Sequence, residues 1–241
     1  MSNIVAMIPA RIGSQRLKYK NLAIIQNKPL IYYSIRAAKE AKIFDKIILN
    51  SDNDIFKKIA DRYKINFYRR PKSLGSSKTK TDEVVIDFIN KFPSTKILVW
   101  VNPIAPLQTS YDIVECFNFF IKSNADSLIT TTEHAVHGTI SNKPINFKIN
   151  TPFDRTQDLK KIELFFYSLM IWKCSKFTKS YVKKKSGVMC GNFQTYPVPK
   201  NKSIIIKNLE DLKLANFLLK ISGKKTNNFK LKYDNALKLK L

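Results

Sequence analysis

Short apolar runs alternate with helical patterns along the first half of the chain, the order expected of βαβ units around a largely parallel sheet. Ile4, Val5, Ala6, Met7 and Ile8 form a continuous apolar run closed by Pro9, which predicts a buried first strand. Pro29 suits a first helical turn, so a helix is predicted over 29–42. A second strand is read at 46–49, a second helix at 55–63 and a short third strand at 66–68. Residues 81–92 carry Val84, Val85, Phe88 and Ile89 at helical spacing, and 96–101 reads as the next strand. Thr109 and Asp112 have the spacing of a capping box that opens a helix to about residue 122, and 127–131 is another strand.

Beyond Thr132 the pattern loosens into a polar excursion, and the apolar residues of 164–172 return as a long strand. A last strand is predicted at 203–206, followed by a helix that Asn208 caps with Asp211 in its first turn. The expectation is one doubly wound, mainly parallel α/β domain over 1–222, with an excursion at about 133–172. Residues 223–241 read as a basic, mobile tail.

Composition adds a puzzle to this picture. The 241 residues carry 43 Lys and Arg against 18 Asp and Glu, a formal charge of +25. Such an excess invites a nucleic-acid reading. The seven arginines leave 36 lysines, however, scattered along the chain instead of gathered in a stripe, so no nucleic-acid partner is expected. No run of about 18 apolar residues predicts a membrane span and no leader pattern follows Met1, so a cytoplasmic protein without a membrane partner is expected. Cys116, Cys174 and Cys190 lack metal-ligand spacing and read as buried free thiols. His134 and His137 lack a third ligand, so no metal-ligating residue is assigned.

The richest chemistry lies directly after the first strand, where residues 8–21 read IPARIGSQRLKYKN. Ligands of open α/β sheets bind at the carboxyl ends of strands. Here a glycine lets the backbone approach a ligand while Arg11, Arg16, Lys18 and Lys20 offset the charge of a triphosphate. The loop is neither a GxGxxG fingerprint nor a GxxxxGK[ST] P-loop, which removes the usual support for hydride transfer or ordinary ATP hydrolysis. Five of the seven arginines, Arg11, Arg16, Arg69, Arg70 and Arg155, lie in polar segments of this kind, and a guanidinium grips phosphate or carboxylate bidentately.

The segment 8–21 resembles the opening motif of the nonulosonic acid cytidylyltransferases, IPARxGSxRxxxKN. Further matches fall in register: KPLI at 28–31, Ser51-Asp52, Arg70-Pro71, RTQD at 155–158 and Glu210-Asp211-Leu212. The resemblance spans roughly 3–220. It implies a Rossmann-like domain of the nucleotide-diphospho-sugar transferase type with a dimerising excursion, hence a homodimer. The implied activity is transfer of CMP from CTP to an acidic sugar, releasing pyrophosphate with Mg²⁺ carried on the CTP. By the same resemblance Arg11 and Lys20 would be catalytic through their hold on the triphosphate. Ala10, Gly13, Ser14, Arg16 and Asn21 would shape its pocket, with Arg70, Thr81 and Asn102 also at the nucleotide. Arg155, Gln157 and Asp158 would meet the sugar.

Three family features are replaced in this chain. The family's LQPTSPLR is VNPIAPLQ at 101–108, and its Asn-Gly in the long strand is Phe166-Tyr167. Its DID carboxylate pair is Ile205-Ile206-Lys207, which removes both side chains that the pattern offers a metal. A paralogue that binds nucleotide or sugar without turnover is therefore the alternative reading.

Overall fold

A computed structural model describes residues 3–222 of the chain; the predicted tail lies outside them. Seven strands form one sheet: β1 (Ile4–Ala10), β2 (Lys46–Ser51), β3 (Asn66–Arg69), β4 (Ile97–Val101), β5 (Ser127–His134), β6 (Ile162–Lys173) and β7 (Phe193–Pro197). Their order across the sheet is β7-β5-β6-β4-β1-β2-β3. β1 runs parallel to β2 and β4, β2 to β3, and β5 to β7, whereas β6 is antiparallel to both of its neighbours.

Period-2 alternation sends successive side chains of β1 to opposite layers. Ala6, Ile8 and Ala10 pack with α1 (Ile31–Ala41), α2 (Ile55–Tyr63) and α4 (Ser110–Lys122). Val5 and Met7 pack with α3 (Thr81–Lys91) and α5 (Cys174–Lys184). Helices on both faces make this the doubly wound, mainly parallel α/β architecture that the alternating pattern predicts. The remaining helix, α6 (Leu209–Ser222), sets Ala215 in a smaller cluster with Ile25, Leu30 and Tyr33.

Side-chain caps open α4 and α6. Thr109 Oγ1 accepts a hydrogen bond from the Asp112 backbone N–H while the Asp112 carboxylate accepts one from the Thr109 backbone N–H, closing the predicted capping box. Asn208 accepts from the Asp211 amide at 2.9 Å.

Two predicted elements differ. The first helix starts at Ile31, because Pro29 pairs with Ile24 in a small hairpin whose turn, Gln26-Asn27, has positive φ at both residues. Residues 203–206 form no strand; the Ile206 amide bonds the Ile104 carbonyl at 2.9 Å, and the run packs beneath α6. The seventh strand is Phe193–Pro197, whose mixed polar composition hides an edge position with β5 as its one neighbour. The excursion between β5 and β6 holds only a two-strand hairpin and a 3-10 turn, since 162–172 and 133–134 belong to sheet strands.

Candidate active site

A cleft of about 250 Å³ opens at the carboxyl ends of β1 and β4. One wall comes from the loop after β1, contributing Ala10, Arg11, Ser14, Lys20 and Asn21. The opposite wall is Arg70 and the polar loop leading into α3, with Ser76, Ser77, Lys80 and Thr81. Trp100 and Asn102, where β4 ends, close the base. Arg11 holds the two walls together by donating to the Ser76 carbonyl at 3.1 Å, and Gln15 donates to Ser77 at 3.3 Å.

The charge of the cleft has one sign. Among the described residues Arg11, Lys20, Arg70 and Lys80 line it and no carboxylate does. Lys20 donates to the Ile206 carbonyl at 3.0 Å. Burial, reinforced by the neighbouring Arg16 and Arg11 charges and opposed by Asp211, brings its pKa down from 10.5 to about 8. An ammonium held under that tension is stabilised by any anion placed against it.

Nearby carboxylates are committed elsewhere. Asp211 accepts from the Lys207 and Asn208 amides, Asp82 from those of Gly187 and Val188, and Asp52 pairs with Arg70. Among the described residues no group of three His, Cys, Asp or Glu side chains is placed to hold a metal. The cleft lining thus offers no carboxylate of the described residues to Mg²⁺, a hard cation that prefers carboxylate, phosphate and water oxygens. His134 bonds Thr132, and His137 stacks on Phe153 with ring centroids 3.8 Å apart.

Eight of the ten residues predicted at the nucleotide converge on the cleft: Ala10, Arg11, Ser14, Lys20, Asn21, Arg70, Thr81 and Asn102. Gly13 is exposed, with open space where a Cβ would stand. Arg16 is also exposed and acts on the cleft through its charge on Lys20. Arg155, Gln157 and Asp158 sit in the short turn of the excursion, outside the cleft, where Arg155 pairs with Asp158 at 2.7 Å.

Arg70 departs most from its predicted role. Its side chain is 4% exposed, and its guanidinium donates to the Asn50 and Ala10 carbonyls at 3.3 Å each while pairing with Asp52 at 3.7 Å. It clamps the ends of β1 and β2, and thereby the root of the binding loop. Trp100 and Lys80 escaped the sequence reading, Trp100 because it reads as one more apolar strand residue. The Trp100 indole N–H, Asn21 Oδ1 and Arg70 Nε are buried without a partner in this cleft, polar groups that a ligand or water satisfies.

A cytidylyltransferase family model matches residues 5–168, which contain both β1 and β4 and the loops that build the cleft. The N-acylneuraminate cytidylyltransferase of Escherichia coli O18:K1:H7 is 29% identical over 163 residues, covering 68% of this chain and 37% of that protein. The chain thus spans little more than a third of the length of that relative. Pseudaminic acid cytidylyltransferase of Campylobacter jejuni is 27% identical over 238 residues, 92% of this chain and 98% of its own length. Among solved structures, CMP:2-keto-3-deoxy-manno-octonic acid synthetase complexed with CTP superposes with a TM-score of 0.65 at 14% identity, covering 92% of this chain and all of the other, a likeness of fold. Match, architecture and cleft position agree, and the chain belongs to the cytidylyltransferase family.

Proposed function

We propose that this chain transfers CMP from CTP to an acidic sugar of the nonulosonate class. The observation that carries the reading is the carboxylate-free cleft walled by Arg11, Lys20, Arg70 and Lys80 at the switch between β1 and β4, inside the family match. The sugar's anomeric hydroxyl attacks the α-phosphorus in line and releases its proton to solvent, the new P–O bond forms as the α–β phosphoanhydride bond breaks, and pyrophosphate leaves. Such chemistry depends on positioning and on neutralising charge that spreads over phosphate oxygens. Arg11 and Lys20 supply that neutralisation. Mg²⁺ carried on the CTP would add to that neutralisation of phosphate charge.

Arg155 lies on the excursion, among exposed apolar side chains such as Ile149 and Phe153 at 70% and 78% exposure. In this reading a second copy covers those side chains, giving a homodimer in which Arg155 meets the sugar carboxylate. The three free, buried thiols suit a reducing compartment, the cytoplasm.

The absence of a cleft carboxylate favours a second reading, binding without turnover. Purified chain mixed with CTP, Mg²⁺ and a panel of sugar acids separates the two. Pyrophosphate release that requires both substrates supports transfer; tight CTP binding with no release supports the second reading; neither binding nor release refutes both.

A further inference from the structure

Where β6 passes the cleft, its pairing with β5 shifts register between Phe165 and Met170. At the centre of this bulge Tyr167 adopts φ 57°, a left-handed conformation that costs free energy in a bulky residue. The conformation is held from both sides. Asn102, a cleft residue, donates through Nδ2 to the Tyr167 carbonyl at 3.0 Å, and its amide bonds the Ser168 carbonyl at 2.9 Å. Thr130 fixes the next residues, bonding Ser168 at 3.1 Å and the Leu169 amide at 3.1 Å.

The strained backbone delivers an aromatic ring that the core does not use. Tyr167 is 44% exposed and meets Phe165, 38% exposed, edge to face with centroids 5.7 Å apart. Phe165 in turn contacts Phe193, which packs in the same layer as Val84 and Trp100 of the cleft. The two rings thus stand on the α3 and α5 side of the sheet, outside the cleft lining, and the Tyr167 carbonyl joins them to Asn102 at its edge. Backbone strain of this kind persists where surrounding contacts over-determine it, and it clusters at ligand sites.

We propose that Tyr167 is a specificity-determining residue: its ring is the platform on which the acceptor sugar's apolar C–H face rests while the anomeric hydroxyl points toward the nucleotide. The inference rests on the sugar-acid reading above and names a contact for it. A pyranose offers one face of C–H groups, and an aromatic ring offers a rigid surface with few rotamers to lose on binding.

The experiment uses the full chain with Tyr167→Gly and Tyr167→Phe. Pyrophosphate release is titrated with N-acetylneuraminic acid, pseudaminic acid and 2-keto-3-deoxy-manno-octonic acid at saturating CTP, then with CTP at saturating sugar, and melting temperatures are recorded. Glycine accepts a positive φ freely, so Tyr167→Gly is expected to melt at or above the wild-type temperature. Its KM for the accepted sugar is expected to rise about tenfold, the loss of one ring contact, with the KM for CTP within about twofold. Tyr167→Phe keeps the ring and should keep the wild-type sugar KM. An unchanged sugar KM in Tyr167→Gly overturns the proposal, as does a lowered melting temperature, which makes the ring structural, or an equal change in both KM values. Wild-type chain that releases no pyrophosphate with any of the three acids refutes the sugar-acid reading, and the platform falls with it.

Discussion

Lys20→Met exchanges the cleft's ammonium for an apolar chain of similar length, and it should stabilise the empty protein while weakening its hold on CTP. Keeping Lys20 at about 8 instead of 10.5 means that the folded state opposes the charged form by about 3 kcal/mol, less an allowance for remaining solvent contact. Below pH 8 the folded and unfolded chains both carry the proton and this opposition is fully expressed. Between pH 8 and 10.5 the folded chain releases it first, so stability from this group rises with pH across that window. Lys20→Met removes the opposition and also the 3.0 Å bond to the Ile206 carbonyl, about 1 kcal/mol in the other direction. The balance is an unchanged or higher melting temperature at pH 7. A charge-assisted phosphate contact contributes about 1.5–3 kcal/mol, so CTP affinity should fall roughly 10- to 150-fold. The wild-type affinity should itself decline as pH rises through 8, with proton uptake on binding. Isothermal titration calorimetry at pH 7, 8 and 9 in buffers of different ionisation enthalpy reads both. Lys20 has no such role if Lys20→Met binds CTP as the wild type does, if exposed Lys183→Ala has an equal effect, or if affinity is flat across that range.

Other outcomes follow from the same geometry. Because no carboxylate lines the cleft, CTP affinity should differ less than about threefold between EDTA and Mg²⁺; the double variant Ile205→Asp with Lys207→Asp should acquire a clear Mg²⁺ requirement, and an unmodified chain with a strong one contradicts the assignment. Arg70→Met strands the Asn50 and Ala10 carbonyls and Asp52, at a cost of about 3 kcal/mol or more. The melting temperature should drop by roughly 6–12 °C, and a drop under about 2 °C denies the clamp. Burial raises the pKa of Cys174 to about 12 and raises those of Cys116 and Cys190 as well. At pH 8 a thiol reagent should label none of them until denaturant is added, and rapid labelling of the native chain contradicts that burial.

The parallel core was legible because buried strands such as Ile4–Ala10 and amphipathic helices such as Ile55–Tyr63 write their periods directly into the sequence. Phe193–Pro197 was not, since an edge strand with half-buried polar residues has no strong period. The loop of residues 8–21 announced the cleft through its cations, but not which of them reach it: Gly13 and Arg16 face solvent while Lys80 arrives from 60 residues later. Arg70 read as a ligand contact because a guanidinium has the same appearance in sequence whether it grips a phosphate or two carbonyls. Only the convergence of β1, β2 and β3 ends tells them apart. Tyr167 was visible as a replacement of the family's Asn-Gly, but not its positive φ, which Asn102 after β4 and Thr130 of β5 hold in place through residues 167–169.

The reversed direction of β6 puts the turn-around between β5 and β6 on the same rim where the parallel strands finish. Residues added or deleted there lengthen or shorten an appendage on that rim without moving a single ladder in the sheet. The excursion and the β1 loop are separate connections on one rim, so a change of length in one leaves the ladders that root the other in place. That rim can be remodelled in length while the β1 loop and the Arg70 clamp stay as they are.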